Sequence, residues 1–307
     1  MTAFNKPAIS IPDQCQLMIN RGLIIPDRSE VEKYLHTIGY YRLSAYALPF
    51  QIAISNHTFK PNVCFDDIRK LYIFDRELRL LVLDAIERAE VAFRSQFNNH
   101  MALTYGAHWY LNTTHFLNTY NHSGLLSLIN YEMGKSSETF LQAYLTKYTS
   151  PSLPPSWMVT ELLTFGQLSK VYDNLARGSD KKVIARGLNT SAELLSSWMQ
   201  SVSDVRNICA HHSRFWNREL GTPPKVPKKP KGNWIRKPIT VADPSINPNK
   251  RIYLVLAILE YLLQAVNPTS SWHERLKDLM DHNPQVSRAH MGMPDDWDSD
   301  PFWRFTN

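Results

Sequence analysis

Residues 66–103 read DDIRKLYIFDRELRLLVLDAIERAEVAFRSQFNNHMAL, without a proline or a glycine. Leu71, Phe74, Leu78, Leu81, Val82, Ala85, Ile86, Ala89, Phe93 and Phe97 recur at steps of three and four. That spacing puts apolar side chains on one stripe of an α-helix rather than on one face of a strand. A helix of this length spans about 55 Å, and its stripe needs partners along the whole of it. The rest of the chain offers segments of the same period, so the expected fold class is all-α, a helical bundle with an N-terminal helical extension.

Outward from that helix, Asp13–Arg21 predicts a short helix ended by Gly22, and Ser29 caps a second through His36 with Glu32 in capping-box position. The tyrosine-rich segment Ile38–Phe50 suits core packing, with base stacking by Tyr40, Tyr41 or Tyr46 as the lesser reading. Gln51–Val63 alternates weakly and holds turn residues, which suits one small hairpin. Pro151, Pro154 and Pro155 form a rigid joint, after which Ser156–Tyr172 reads as one helix. Gly166 within it would permit a close helix crossing. Ser191 caps a helix expected to continue through Arg218, and Arg251–Val266 and Ser271–His282 read as two more. The expected divisions are an arm with short helices (1–64), the long helix with connecting helices (65–150), a bundle (151–282) carrying a basic loop (221–249), and a tail (283–307). Trp297, Phe302 and Trp303 would pin that tail to the body or to a second subunit.

Composition narrows the function classes. A formal charge of +6 over 307 residues and a pI near 9.1 suit a nucleic-acid partner without demanding one. Cys15, Cys64 and Cys209 are odd in number and far apart, which argues against a disulfide framework or a zinc site. No apolar run reaches membrane-span length, and the start MTAFNKPAISIPDQ has no apolar h-region. The expectation is a cytoplasmic protein with no membrane contact. A Gly-rich phosphate loop and a Gly-x-Ser-x-Gly elbow are both missing, and no acidic cluster points to a metal. No cofactor is implied.

Residues 204–218, DVRNICAHHSRFWNR, lay reactive side chains over a helical apolar pattern. Ser203, Asn207, His211, Arg214 and Arg218 form one stripe, and Val205, Ile208, Cys209, His212 and Trp216 another. Arg206 lies beside the first stripe, within reach of the volume that His211 faces. A guanidinium offers forked donors to phosphate oxygens, and an imidazole exchanges protons near neutral pH. RNA supplies both needs, because its own 2′-hydroxyl can attack the adjacent phosphate once a base and a cation are in position.

The core Arg206-Asn207-x-x-x-His211 resembles the Arg-x(4–6)-His motif of the HEPN superfamily of α-helical ribonucleases. The longer string from Arg206 to Arg218 is similar to the Abi-like (abortive infection) proteins of bacterial phage defence. Ile38–Phe50 resembles the N-terminal signature of that family, and Trp157, Glu161 and the run Phe165-Gly166-Gln167-Leu168-Ser169 resemble the pattern ahead of its motif. The resemblance implies a metal-independent endoribonuclease of HEPN type with Arg206, Asn207 and His211 as catalytic residues. It further implies RNA as substrate, 2′,3′-cyclic phosphate ends, a homodimer that pairs two motifs, and a toxin-like role checked by an antitoxin or a small RNA.

Arg94 and His100 satisfy Arg-x(5)-His and would make a second motif within the chain; the favoured reading is structural, with Arg94 paired to Glu90 and His100 capping a helix end. Glu161 and Arg214 are candidate supports for the motif, against a half-exposed helix acid for Glu161. Lys225, Lys228, Lys229, Lys231, Arg236 and Lys237 alternate with prolines and no acid. They suit either an RNA-contacting loop, with Trp234 free to stack, or a solvated linker. The alternative function is a non-catalytic module that holds a structured RNA on this basic face.

Overall fold

The computed structural model describes residues 3, 7–53, 56–228 and 232–305. Among them lie twelve α-helices and one two-stranded hairpin, the all-α class with a small hairpin read from the sequence. No helix among the described residues is long and apolar enough to cross a membrane.

The chain forms two compact units, Met1–Leu78 and Arg79–Asn307. In the first, helices α1 (Ile11–Asn20) and α2 (Arg28–Thr37) pack together. The Ser10 hydroxyl caps α1 at the backbone N–H of Asp13, and Gly22 follows the helix in the left-handed region at φ +91°. Asp27, rather than Ser29, caps α2, because its carboxylate accepts from the Glu30 N–H at 3.1 Å and so starts the helix two residues earlier. Helix α3 (Tyr40–Ala47) buries Leu43 and Tyr46, and the Tyr46 hydroxyl donates to Asp75 at 2.6 Å. Tyr46 is therefore core, Tyr40 accepts from Arg21, and Tyr41 is 92 % exposed. The hairpin pairs β1 (Gln51–Ala53) with β2 (Thr58–Phe59) antiparallel.

Helix α4 (Phe65–Tyr105) is the long helix; its N-terminal part belongs to the first unit and the remainder to the second. From Leu81 to Phe97 its apolar stripe is buried, and Phe93 and Phe97 meet Phe165, Tyr172 and Trp109 edge to face. Helices α5 (His122–Lys135) and α6 (Thr139–Lys147) follow. The segment expected as one helix is two, α7 (Ser156–Leu162) and α8 (Phe165–Asp173). Thr164 ends the continuity with a capping box, its hydroxyl accepting from the Gln167 N–H while the Gln167 side chain takes the Thr164 N–H. Helix α9 (Gly178–Arg186) leads to α10 (Ala192–Ala210), which packs on α8, α9 and α11 (Ile252–Val266). Every residue from Ile252 to Leu263 is buried, so α11 is surrounded by protein all round. Helix α12 (Trp272–Asp281) closes the order, and Trp297, Phe302 and Trp303 of the tail are buried within the same unit.

Candidate active site

Helix α10 is started by the Ser191 hydroxyl, which accepts from the Leu194 N–H. Leu195, Trp198, Met199, Val202, Val205 and Cys209 form its buried face. Asp204, Arg206 and Asn207 stand exposed on the last turns.

The helix ends at Ala210, eight residues before the expected end at Arg218. His211 is its cap, and His212 adopts the left-handed conformation at φ +55°. The Ser213 N–H bonds to the Ile208 carbonyl and the His212 N–H to that of Cys209, each at 3.0 Å. This is the Schellman pattern, with a histidine where glycine is usual. Asn207 and His211 remain one turn apart, joined by the 3.0 Å bond from the His211 N–H to the Asn207 carbonyl. Arg214 and Arg218 leave the stripe, since the chain beyond His212 is not helical; Arg214 is half-buried and Arg218 exposed.

Two cations reach the backbone after the turn. Arg79, 5 % exposed on α4, donates to the Ser213 carbonyl at 3.3 Å, and Arg251 donates to the Asn217 carbonyl at 2.7 Å. Phe215 and Trp216 are buried just after the turn, and Trp216 meets the His290 ring at 5.6 Å. The motif thus stands on a fixed platform, while Arg206, Asn207 and the His211 ring are exposed and make no side-chain hydrogen bond or ion pair among the described residues. Three donors with no internal partner, one of them an imidazole, are available to a ligand.

The other candidate residues lie elsewhere. Arg94 pairs with Glu90 at i−4 and donates to the Thr160 carbonyl. His100 bonds through Nε2 to Asp180 at 2.9 Å, a carboxylate that also accepts from the Tyr105 hydroxyl at 2.9 Å. No bond joins Arg94 to His100 among the described residues. Glu161, at the end of α7, is exposed and makes no hydrogen bond or ion pair among the described residues.

The basic loop is held to the body. The Lys225 carbonyl accepts from Trp198 Nε1 at 2.9 Å, and the Lys225 ammonium pairs with Glu193 at 2.6 Å, which holds that carboxyl below its usual range. Trp234 is not free to stack on a base: it is 6 % exposed and stacks on Trp198 with ring centres 5.7 Å apart. The Asp300 carboxylate accepts from the backbone N–H groups of Arg236 and Lys237, each at 2.8 Å, and the Lys237 side chain bonds Asp296. Lys228 and the Arg236 side chain face solvent. Lys229 and Lys231 lie outside the described residues. Among the described residues, no three His, Cys, Asp or Glu side chains come together in a metal-ligating group.

Sequence reasoning missed Arg79 and Arg251, because an arginine bonded to a carbonyl carries no local pattern, whether buried like Arg79 or half-buried like Arg251. It also missed that the polar stripe of the motif extends back along α10 through Gln200 and Ser196, although spacings of four, three, four and four up to His211 were there to be read.

A family model described as Abi-like protein matches residues 33–217, from α2 through the motif turn. No curated protein and no solved structure matches the chain.

Proposed function

The chain belongs to the Abi-like protein family, whose setting is abortive infection against phage, and from that premise we propose that it is a metal-independent endoribonuclease. The observation that carries the reading is the free trio on a braced turn: Arg206, Asn207 and His211 exposed without internal partners, just ahead in the chain of the Ser213 and Asn217 backbone held by Arg79 and Arg251. A site that must receive phosphate and move a proton gains from a fixed backbone and unoccupied donors.

In this reading His211 takes the proton of a ribose 2′-hydroxyl as its oxygen bonds to the adjacent phosphorus. The bond from phosphorus to the 5′ oxygen then breaks, a proton returns to that oxygen, and a 2′,3′-cyclic phosphate and a 5′-hydroxyl remain. Arg206 faces the phosphorane oxygens as charge builds on them. Asn207, one turn below His211, orients the imidazole or the ribose. Two protonic roles are filled most simply by two copies of the chain with their motifs face to face, so the reading includes a homodimer. The toxin-like activity would be restrained by an antitoxin or a small RNA.

A second reading, a module that holds a structured RNA without cutting it, draws on the exposed Lys228 and Arg236 of the anchored loop. One experiment separates the two. Purified protein is incubated with total RNA in EDTA beside Arg206→Ala and His211→Ala, and the cut ends are mapped. Cyclic phosphate ends made by wild type alone are the expected result. A discrete co-purifying RNA with no cutting, and a phenotype indifferent to His211→Ala, would give the function to the binding module.

A further inference from the structure

Beside the motif, α8 and α10 enclose two adjoining polar cavities. The first, about 340 Å³, is lined by Gly166, Ser169 and Lys170 of α8 and by Ser196, Gln200 and Ser203 of α10. The second, about 390 Å³, shares Asp173, Ser196 and Gln200 with it and extends towards Lys181, Glu193 and Lys225. Each falls in the range of about 300–1,000 Å³ found for small-ligand sites. The helices approach closely at one point of the wall, where a Cβ on Gly166 would stand 2.8 Å from the Ser203 hydroxyl.

We propose that this groove holds the single-stranded RNA segment next to the cut phosphate and selects ribose over deoxyribose through its 2′-hydroxyls. This rests on the endoribonuclease reading for the direction in which the strand runs. Three observations carry it.

The first is unspent hydrogen bonding. Ser169 and Ser203 are each only 6 % exposed, line the cavity, and have no side-chain hydrogen bond among the described residues. The exposed Gln200 amide on the same wall is likewise without a partner among them. A hydroxyl or amide in such a position wants a ligand group that can both donate and accept, which a 2′-hydroxyl does.

The second is alignment. Ser196, Gln200, Ser203, Asn207 and His211 follow one face of α10, so a strand lying in the groove arrives at the proton-transfer residue. From Ser196 to His211 the helix rises about 22 Å, room for several nucleotides.

The third is what the lining lacks. No aromatic side chain lines either cavity, so bases are not read there by stacking. Lys170, Lys181 and Lys225 are matched by Asp173, Glu193 and Asp204, so the groove has no net charge with which to release counterions. Its contribution is hydrogen bonding to sugar, and the salt-dependent attraction falls to the loop cations outside it.

The test measures anisotropy of a short labelled oligouridine and of its deoxy counterpart, in EDTA, on full-length His211→Ala protein. Gln200→Ala and Ser169→Ala are added singly to that parent. Each is expected to weaken RNA binding about 5- to 10-fold, the worth of one hydrogen bond, with DNA affinity unchanged. The salt slope for RNA should also stay unchanged, whereas Lys228→Glu should make it shallower. Gln200 is at the surface, so its loss does not endanger folding. Equal weakening of RNA and DNA, unchanged RNA binding in both variants, or a parent without preference for RNA overturns the groove. Preference carried by Gln200 or Ser169 in a protein whose wild type never cuts RNA upholds the groove and removes the nuclease. Cutting by wild type with no such preference does the reverse.

Discussion

At the residue scale the site depends on two adjacent histidines with different duties. His211 caps α10 and keeps its ring exposed, whereas His212 takes the left-handed conformation that turns the chain. Replacing His211 by Ala removes an exposed side chain and leaves the turn, so cleavage should fall about 10²–10⁴-fold, the usual range for a lost general acid–base group, with the thermal midpoint unchanged. Unaltered cleavage would take the proton-transfer role from this residue. Arg206→Ala should cost about 10²–10³-fold, and Arg206→Lys should recover only part, because an ammonium cannot make the forked contact. At His212 the order of replacements is the test. Gly occupies positive φ freely, whereas Val resists it by about 1–2 kcal/mol. His212→Val should therefore melt below His212→Gly and cut RNA more slowly; the opposite order would mean that the turn is not what His212 supplies.

At the element scale, apolar periodicity shows which residues are buried and is blind to where the backbone turns. Val205, Cys209 and Trp216 keep helical spacing and all three are buried, yet the helix ends between the second and the third. The same blindness merged α7 with α8, since Val159, Leu163, Leu168 and Val171 are buried on both sides of the break. The deciding signals were short polar ones: Thr164 with Gln167 three residues on, and a histidine in a place where glycine would have announced the stop. By contrast α4, α11 and the exposure of Arg206, Asn207 and His211 were legible, because uninterrupted period and residue type suffice for them. Thr164→Ala should lower stability by about 1 kcal/mol in urea denaturation, the worth of an N-cap. The basic loop carried the opposite error, for composition alone makes Trp234 a free aromatic, while packing puts it between Trp198, Tyr261 and Phe302. Trp234→Ala should cost about 3–5 kcal/mol, as core tryptophans do, and expose the loop to protease. A loss below about 1 kcal/mol would mean that the loop is held by its polar contacts at Lys225, Lys237 and Asp300 rather than by ring packing.

At the scale of the whole molecule, the chain beyond the motif turn braces it together with Arg79 of α4. Arg251 stands at the entrance to α11, and the tail folds back on that helix through Trp303, whose Nε1 donates to the Tyr253 hydroxyl at 3.3 Å. Arg304, itself at φ +56°, joins the tail to α11 by a 2.7 Å pair with Glu260. That carboxyl is fully buried, and its Oε2 has no hydrogen-bond partner among the described residues. Burial raises its pKa despite the opposing help of Gln264 and Arg304. Burial likewise depresses the neighbouring His273, with Arg304 adding to the effect. The signs are opposite in consequence. The depressed histidine stabilises the fold above its unfolded pKa, near about 6.5, and this is lost as pH falls. The raised carboxyl stabilises the fold below its unfolded value, near about 4.3, and this is lost as pH rises through the folded value. His273 Nδ1 lies 3.5 Å from Glu260 Oε1, so the two titrations are coupled, and the second effect is isolated by making Glu260→Gln in a His273→Gln background. In that background the stability of the Glu260 protein relative to Glu260→Gln should decline in urea titrations as pH rises above about 4.3 and level off past the folded pKa, ~1.4 kcal/mol in all for each unit by which the folded pKa exceeds the unfolded one. A gap that does not change with pH would mean that water reaches Glu260 and that burial does not hold its carboxyl neutral.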